Sequence, residues 1–175
     1  MDTTSYELYR DQMQTGDLIA FSGRGLFSWV IQWQTHSPYS HVGLVVRLSE
    51  AGTQRVFLLH AILGQGVVLL PLSRYLGRHQ GSAWWVPLRH EEARAVNPTY
   101  RSDLLGYTLQ QLGRGYDLKG VLRFLLPFIP ASAGQNFCSE LAAEAYRASR
   151  LRSDTFVSPA YLLRWSMLGQ SVSLV

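Results

Sequence analysis

The chain contains little cysteine and little charge. Of its 175 residues one is cysteine, 16% are charged and 47% are hydrophobic. A single cysteine excludes a disulfide within the chain, so Cys138 is either a small buried apolar residue or a chemically active thiol. The high fraction of hydrophobic residues and the low fraction of charged residues exclude a disordered chain. The length fits a single domain, over residues 1–175, with one well-buried core.

Long apolar runs, basic runs and a secretory signal are absent as well. The longest apolar stretch, over residues 124–130, is far shorter than the roughly 20 residues that span a bilayer. The first fifteen residues include Asp2, Glu7 and Asp11 and lack an apolar core. We therefore expect synthesis in the cytoplasm, with any export by a route other than a cleavable signal peptide. The formal charge is +4, but the arginines are scattered and no nucleic-acid motif occurs, so we predict no nucleic-acid partner.

Cys138 stands at the start of a helix predicted over residues 136–147. The first backbone N–H groups of a helix have no internal partner, and the helix dipole favours negative charge at this end. A thiol placed there ionises more easily, and the thiolate is the nucleophile. The position therefore favours an active thiol over an inert one.

Two histidines strengthen that interpretation. His41 begins one β-branched and aliphatic run and His60 ends the next, and the polar residues 48–54 between them predict a hairpin loop. If Arg47 lies opposite Arg55 or nearby, His41 lies opposite His60 or within one position of it. Directly opposite side chains share a face, with Cβ atoms roughly 4.5–5.5 Å apart. A slip of one residue would put the two rings on opposite faces.

A thiol, a base and an orienting group are the minimum set for cysteine nucleophilic catalysis. In this hypothesis His41 takes the proton from Cys138 and later returns it to the leaving group, while His60 holds the His41 ring. The backbone N–H of Cys138 is a natural first donor to an oxyanion. Gln135 or Asn136 is a candidate for the second donor.

Several segments of the sequence form one pattern: Ser40-His41-Val42-Gly43-Leu44 and Phe137-Cys138-Ser139-Glu140-Leu141, with Gly16-Asp17-Leu18, His60-Ala61, Gly66-Val67 and Gly115-Tyr116-Asp117 in agreement. Together they resemble one family, the permuted papain-like amidases of the YiiX/YaeF type, which are relatives of the NlpC-type cell-wall peptidases and of lecithin:retinol acyltransferase. The resemblance spans roughly residues 14 to 165, and in this branch the cysteine follows the histidine in the chain. It implies an α+β fold, a circularly permuted papain-like antiparallel sheet packed against helices, with the nucleophile at a helix N-terminus.

The resemblance implies cleavage of a peptide or isopeptide bond through a thioester, with peptidoglycan stem peptides as the expected substrate. Many of these amidases have Glu where His60 stands, whereas the acyltransferase branch has His. Together with the apolar segment 124–130, this keeps lipid acyl transfer or hydrolysis as an alternative. A third alternative is a binding module without catalysis. Whether a cognate inhibitor or delivery partner exists stays open.

A zinc site made of the thiol and the two imidazoles is chemically possible, since catalytic zinc uses three protein ligands. No closely spaced pair of the Cys-x-x-Cys or His-x-x-x-His kind occurs, so we predict no metal and no other cofactor. The polar surroundings of His36, His79 and His90 predict surface positions for these three residues.

Apolar spacing and turn residues predict the remaining elements. They are a strand over residues 17–21, a helix over 26–34, strands over 66–70 and 83–86, a helix from Asn97-Pro98 to Gly113, and a last helix from Ser158-Pro159 to Gly169. Adjacent strand residues such as Trp84 and Trp85 point to opposite faces, so we expect one of them in the core. Core packing is also the favoured role for Trp29 and Trp33, with a substrate groove as the alternative.

Overall fold

The computed structural model describes residues 4–50, 53–62, 65–114, 138–152 and 158–175. None of the helices in these ranges is long and apolar enough to cross a bilayer. In chain order the elements are α1 (Thr4–Tyr9), β1 (Leu18–Gly23), α2 (Leu26–Thr35), β2 (His41–Glu50), β3 (Thr53–Ile62), β4 (Gly66–Pro71), α3 (Leu72–Leu76), β5 (Gly81–Val86), α4 (His90–Val96), α5 (Tyr100–Gln111), α6 (Cys138–Ala148), α7 (Pro159–Leu162) and β6 (Val172–Ser173).

One antiparallel sheet organises the described residues, with strand order β4-β3-β2-β1-β5-β6. The predicted α+β architecture is confirmed, and so are the strands predicted near residues 17–21, 66–70 and 83–86. The hairpin between β2 and β3 is tighter than expected. Pairing continues through Leu48 opposite Arg55 to Glu50 opposite Thr53. The ladder therefore extends into residues 48–54, the segment predicted as a loop.

Successive side chains of each strand point to opposite faces of the sheet, and each face carries a hydrophobic core. On the first face, residues of α4, α5 and α6 pack against alternate strand residues: Leu18, Ala20, Val42, Leu44, Val46 and Leu59. On the second face, α1, α3 and the C-terminal segment pack against the intervening residues: Ile19, Phe21, Val45, Val56, Leu58, Ala83 and Trp85. Each side chain of the candidate site can therefore be assigned to one face from its position in its strand.

Two predicted helix boundaries differ from the structure. The fifth helix begins at Tyr100 rather than at Pro98, because the Asn97 side chain accepts the backbone N–H of Thr99 at 3.1 Å and holds a turn there. The last helix begins after Ser158 as predicted, and the Ser158 hydroxyl accepts the Tyr161 N–H at 3.2 Å. It ends at Leu162 rather than Gly169, since from Arg164 onward the backbone hydrogen bonds span only three residues.

Candidate active site

His41 and His60 lie on neighbouring strands and share the second face of the sheet. His41 is the first residue of β2 and pairs with Phe21 of β1. The register of β2 and β3 pairs Leu44 with Leu59, and its continuation places Gly43 opposite His60. His41 is therefore two positions away from Gly43, the residue opposite His60. The prediction that His41 lies opposite His60 or within one position of it is wrong. The offset is even, so both rings still point to one face.

The two imidazoles are in hydrogen-bond contact. Nε2 of His41 lies 2.9 Å from Nδ1 of His60, and the ring centroids are 5.2 Å apart. Diagonal partners on a sheet are within reach when the side chains are long or aromatic. Tyr75 of α3 meets the His60 ring edge-on with centroids 4.6 Å apart, and Phe21 lies beside His41 at 5.8 Å. The pair is thus held among aromatic rings.

Gly43 makes room for this contact. A Cβ at this position would be 3.2 Å from the Cβ of His60 and 2.5 Å from Cδ1 of Leu58. The second distance is far below van der Waals contact, so any side chain would displace Leu58 and press on His60. Glycine at position 43, two residues after His41, therefore leaves the space that Leu58 and His60 occupy.

Burial keeps both imidazoles neutral. It lowers the pKa of His60, whose surface is only 1% exposed, to about 4. His41 keeps some exposed surface, yet burial of its ring, followed by the effects of His60 and His79, lowers its pKa to about 3. In a contact between two neutral rings one nitrogen donates and the other accepts. His60 Nε2 is buried and has no hydrogen-bond partner in the described part of the chain.

Cys138 is the first residue of α6, close to the predicted boundary, and the position of its side chain lies outside what the structure describes. The helix packs on the sheet as expected. Its residues Ala142 and Tyr146 contact the first face, the one that carries Leu44. The imidazoles lie on the second face. Contact between Cys138 and His41 stays a prediction, and it requires the thiol to reach His41 past the start of β2.

Other sequence-predicted site residues also lie outside the described residues. Gln135 and Asn136, the candidates for the second oxyanion donor, belong to this group, as does the apolar segment 124–130. Their assigned roles stay predictions.

A groove of about 550 Å³ opens beside the start of β2. It is bordered by the residues that precede His41, by α7 and by the C-terminal segment: His36, Ser37, Pro38, Tyr39, Val86, Ala160, Leu163, Arg164, Gly169, Gln170 and Ser171. Tyr39 packs against the first core, so the groove adjoins the same strand end that the thiol must pass. It is large enough for a few residues of a peptide.

A buried polar network surrounds Asp17, and no local pattern in the sequence indicates it. This carboxylate is fully buried, and its Oδ2 accepts hydrogen bonds from the Gln14 N–H at 2.8 Å and Trp85 Nε1 at 2.9 Å. Its Oδ1 accepts from the Leu88 N–H at 2.9 Å and from His90 Nε2 at 2.7 Å. Four donors meet one carboxylate, which satisfies the buried charge. The network ties the start of β1 to the end of β5.

The surface assignment of the remaining histidines is right for one of the three. His36 is exposed. The side chain of His90 is 13% exposed and bonds Asp17, while Nδ1 lies 2.6 Å from the Tyr100 hydroxyl. His79 packs edge-on against Phe21 with centroids 5.0 Å apart. Spacing could not reveal these contacts, because their partners are distant in sequence.

The described residues do not form a metal site. They contain no group of three or more His, Cys, Asp or Glu side chains arranged to hold an ion. Two nitrogen ligands of tetrahedral zinc, each at about 2.0–2.1 Å, would be roughly 3.3 Å apart. The nitrogens of His41 and His60 are closer than that, at a hydrogen-bond distance of 2.9 Å.

Comparison with known proteins adds two findings. A family model described as the permuted papain-like amidase enzyme, YaeF/YiiX, C92 family, matches residues 12–158. Among solved structures, the crystal structure of metalloprotein yiiX from Escherichia coli O157:H7 superposes with a TM-score of 0.69 at 20% sequence identity, covering 92% of this chain and 97% of that one. No curated protein matches the chain. At this identity the structural likeness concerns the fold.

Proposed function

Because this chain belongs to the permuted papain-like amidases of the YaeF/YiiX type, we propose that Cys138, His41 and His60 form its catalytic triad and cleave a peptide or isopeptide bond. The single observation that carries the assignment is the contact between His41 Nε2 and His60 Nδ1 at 2.9 Å. It provides a base with its orienting partner on adjacent strands. Cys138 supplies the nucleophile, since it is the one cysteine of the chain and begins a helix.

Catalysis selects one tautomer of the imidazole pair. If His41 donates its Nε2–H to His60 Nδ1, then Nδ1 of His41 keeps a lone pair that can accept the thiol proton. The reverse arrangement would place a proton on Nδ1 of His41 and leave no base. In the productive tautomer His60 carries its proton on the buried Nε2. The lowered pKa of His60, about 4, keeps its Nδ1 available as an acceptor near neutral pH.

The reaction then has two halves. The sulfur of Cys138 attacks the amide carbonyl while its proton passes to His41, and the backbone N–H at the start of α6 donates to the resulting oxyanion. The proton returns to the amine as the C–N bond breaks, which leaves a thioester on Cys138. Water, deprotonated by His41, attacks the thioester and releases the carboxylic acid and the free thiol.

Peptidoglycan stem peptides are the substrate we propose first, and the groove beside the start of β2 offers room for a short peptide. Acyl transfer or hydrolysis on a lipid is the second candidate. The imidazole at position 60, in contact with His41, favours it, since this is the residue type of the acyltransferase relatives. Both candidates use the same nucleophile and the same base.

Intact-mass analysis of the protein during turnover distinguishes these substrates. The enzyme is mixed separately with purified muropeptides and with short-chain phospholipid, and the reaction is quenched in acid. A peptidyl adduct on Cys138 supports the amidase, and a fatty-acyl adduct supports the second candidate. Cys138→Ala should form neither adduct, and Arg55→Gln, which changes an exposed residue far from the groove, should form the same adduct as the unchanged protein. Absence of any adduct and of any substrate loss would contradict the proposal.

The structural neighbour is described as a metalloprotein, but the described donors of this chain do not fit a metal, and the proposed steps use none. We expect turnover to persist after treatment with a chelator. Loss of turnover with EDTA, restored by one divalent metal, would contradict this part of the proposal.

A further inference from the structure

Two tryptophans of α2 are exposed side by side. Trp29 and Trp33 are 60% and 67% exposed, although core packing is the role favoured for them by the sequence. They are four residues apart, so they lie on one side of the helix. Their rings are nearly parallel, with an interplanar angle of 15° and centroids 6.5 Å apart. The pair presents a broad aromatic surface to solvent.

This surface lies at the end of the sheet that carries the imidazole pair. The amide of Gln32 fixes α2 there, because its Nε2 donates to the Ser22 hydroxyl and to the Pro38 carbonyl, both at 3.1 Å. Ser22 follows Phe21, the residue paired with His41. Gln32 thus fixes α2 against the end of β1, while the two indoles stay mostly exposed.

The same end of the molecule carries two exposed arginines. Between Asp17 and Glu91 the sequence contains one acidic residue, Glu50, and of the six arginines in this range Arg47 and Arg55 lie with Glu50 at the far end of β2 and β3. Glu50 ends β2, nine residues from His41, or roughly 30 Å along the strand. Two exposed arginines lie near α2. Arg24 immediately precedes its N-terminal segment, and Arg78 precedes β5, whose residue Gly81 pairs with Gly23. No described carboxylate forms an ion pair with either arginine.

We propose that the tryptophan surface, defined as Trp29, Trp33, Arg24 and Arg78, docks the protein onto an anionic lipid bilayer. Indole rings, with an apolar body and a polar N–H, are typical of the membrane–water interface. Exposed arginines beside them complement anionic headgroups. An anionic polymer without bases or sugar rings would account for the arginines but not for two exposed stacked indoles. Docking places the start of β2, with His41, close to the bilayer, and the proposal does not depend on which bond Cys138 attacks.

Vesicle binding tests the proposal on the full chain. Sedimentation is measured with vesicles of phosphatidylcholine alone and with vesicles containing 30% phosphatidylglycerol, a composition chosen at about the level that makes a surface strongly anionic. We expect binding to the anionic vesicles that weakens with added salt, because salt screens the arginines. Brominated acyl chains should quench tryptophan fluorescence on binding.

Matched variants separate the two parts of the surface. The double substitution Trp29→Ala/Trp33→Ala should weaken binding by about tenfold or more, since two large apolar side chains no longer enter the interface. Arg24→Gln and Arg78→Gln should each weaken it by about fivefold. The controls are Leu109→Ala, an exposed apolar residue of α5, and Arg55→Gln, an exposed arginine distant from α2. Both controls should bind like the unchanged protein.

Several results would overturn the inference. One is no binding to either vesicle, and another is binding that the tryptophan and arginine substitutions leave unchanged. Equal binding to neutral and anionic vesicles would contradict the role of the arginines. A dimer in solution that dissociates in the double tryptophan variant would assign the surface to a second copy of the chain. Quenching by soluble glycan fragments but not by brominated lipid would assign it to a polysaccharide. If the double tryptophan variant fails to fold, the two arginine variants still test the proposal.

Discussion

Replacing His60 by Gln should change how the stability of the protein depends on pH. His60 is buried with a pKa of about 4, compared with 6.5 for an ordinary imidazole. Between these two values the unfolded chain binds a proton that the folded protein does not, so this contribution to stability is present above pH 6.5 and is lost as pH falls towards 4. The full difference is about 3 kcal/mol at 1.36 kcal/mol for each pKa unit. Between pH 8 and pH 5 the loss is about 2 kcal/mol.

The assay is urea unfolding followed by circular dichroism at several pH values. The unchanged protein should lose about 2 kcal/mol more than His60→Gln between pH 8 and pH 5, because the variant lacks the His60 imidazole; loss of the smaller effect of His60 on the pKa of His41 acts in the same direction. Gln also offers an acceptor for the His41 N–H and keeps most of the side-chain volume. As a control, His36→Asn changes an exposed residue with a φ of 48°, which Asn tolerates, and should follow the unchanged protein. Parallel curves for His60→Gln and the unchanged protein would refute the argument that His60 is buried as a neutral ring.

Four further substitutions test the site and its support. His41→Ala should lower kcat/KM by about 10³-fold and His60→Ala by about 10- to 100-fold, since a base contributes more than its orienting partner. An equal or larger loss for His60→Ala would reverse the assigned roles. Asp17→Asn should lower the free energy of unfolding by about 2–4 kcal/mol, because an amide N–H₂ would face one of the donors that now meet the carboxylate; unchanged unfolding would contradict this. Gly43→Ala should cost about 1–3 kcal/mol and reduce turnover through displaced Leu58 and His60, whereas a fully active, equally stable variant would contradict the tight contact seen there.

The sequence predicted the contact of the two imidazoles better than it predicted their register. Two apolar runs separated by a polar segment are a strong signal for a hairpin, and pairing about the predicted turn placed His41 opposite His60 or within one position of it. The exact pairing depended on the turn. The ladder continues to Glu50 opposite Thr53, because residues such as Ser49 and Gln54 can pair on an exposed strand end although their composition suggests a loop. Because His41 is two residues from the position opposite His60, both rings still point to the same face of the sheet, although each histidine pairs with a different residue than predicted.

The network of Asp17 could not be predicted from local patterns. Its donors come from positions 3, 68, 71 and 73 residues away. The family resemblance includes the Gly-Asp pair, but resemblance alone does not say which groups the carboxylate binds. His90 was expected on the surface because its neighbours Glu91 and Glu92 are charged, whereas the start of a short helix turns its ring towards Asp17.

The tryptophans show where composition misleads. Aromatic residues usually dominate a core, and Trp85 follows that rule with 6% exposure. Trp29 and Trp33 do not: Gln32 ties α2 to the end of β1, and the two indoles are 60% and 67% exposed. An amphipathic pattern identifies two sides of a helix but not which of them is covered. That choice depends on the elements around the helix.

Alkylation of the thiol tests the central assignment most directly, and the single cysteine makes every adduct unambiguous. The rate of reaction of Cys138 with iodoacetamide is followed by intact mass at pH 6–8 in the native protein, in the urea-unfolded chain and in His41→Ala. A nucleophile served by His41 at a helix N-terminus should react faster in the native protein than in the unfolded chain, and His41→Ala should slow it markedly. Alkylation in the native protein no faster than in the unfolded chain, and insensitive to His41, would contradict the account.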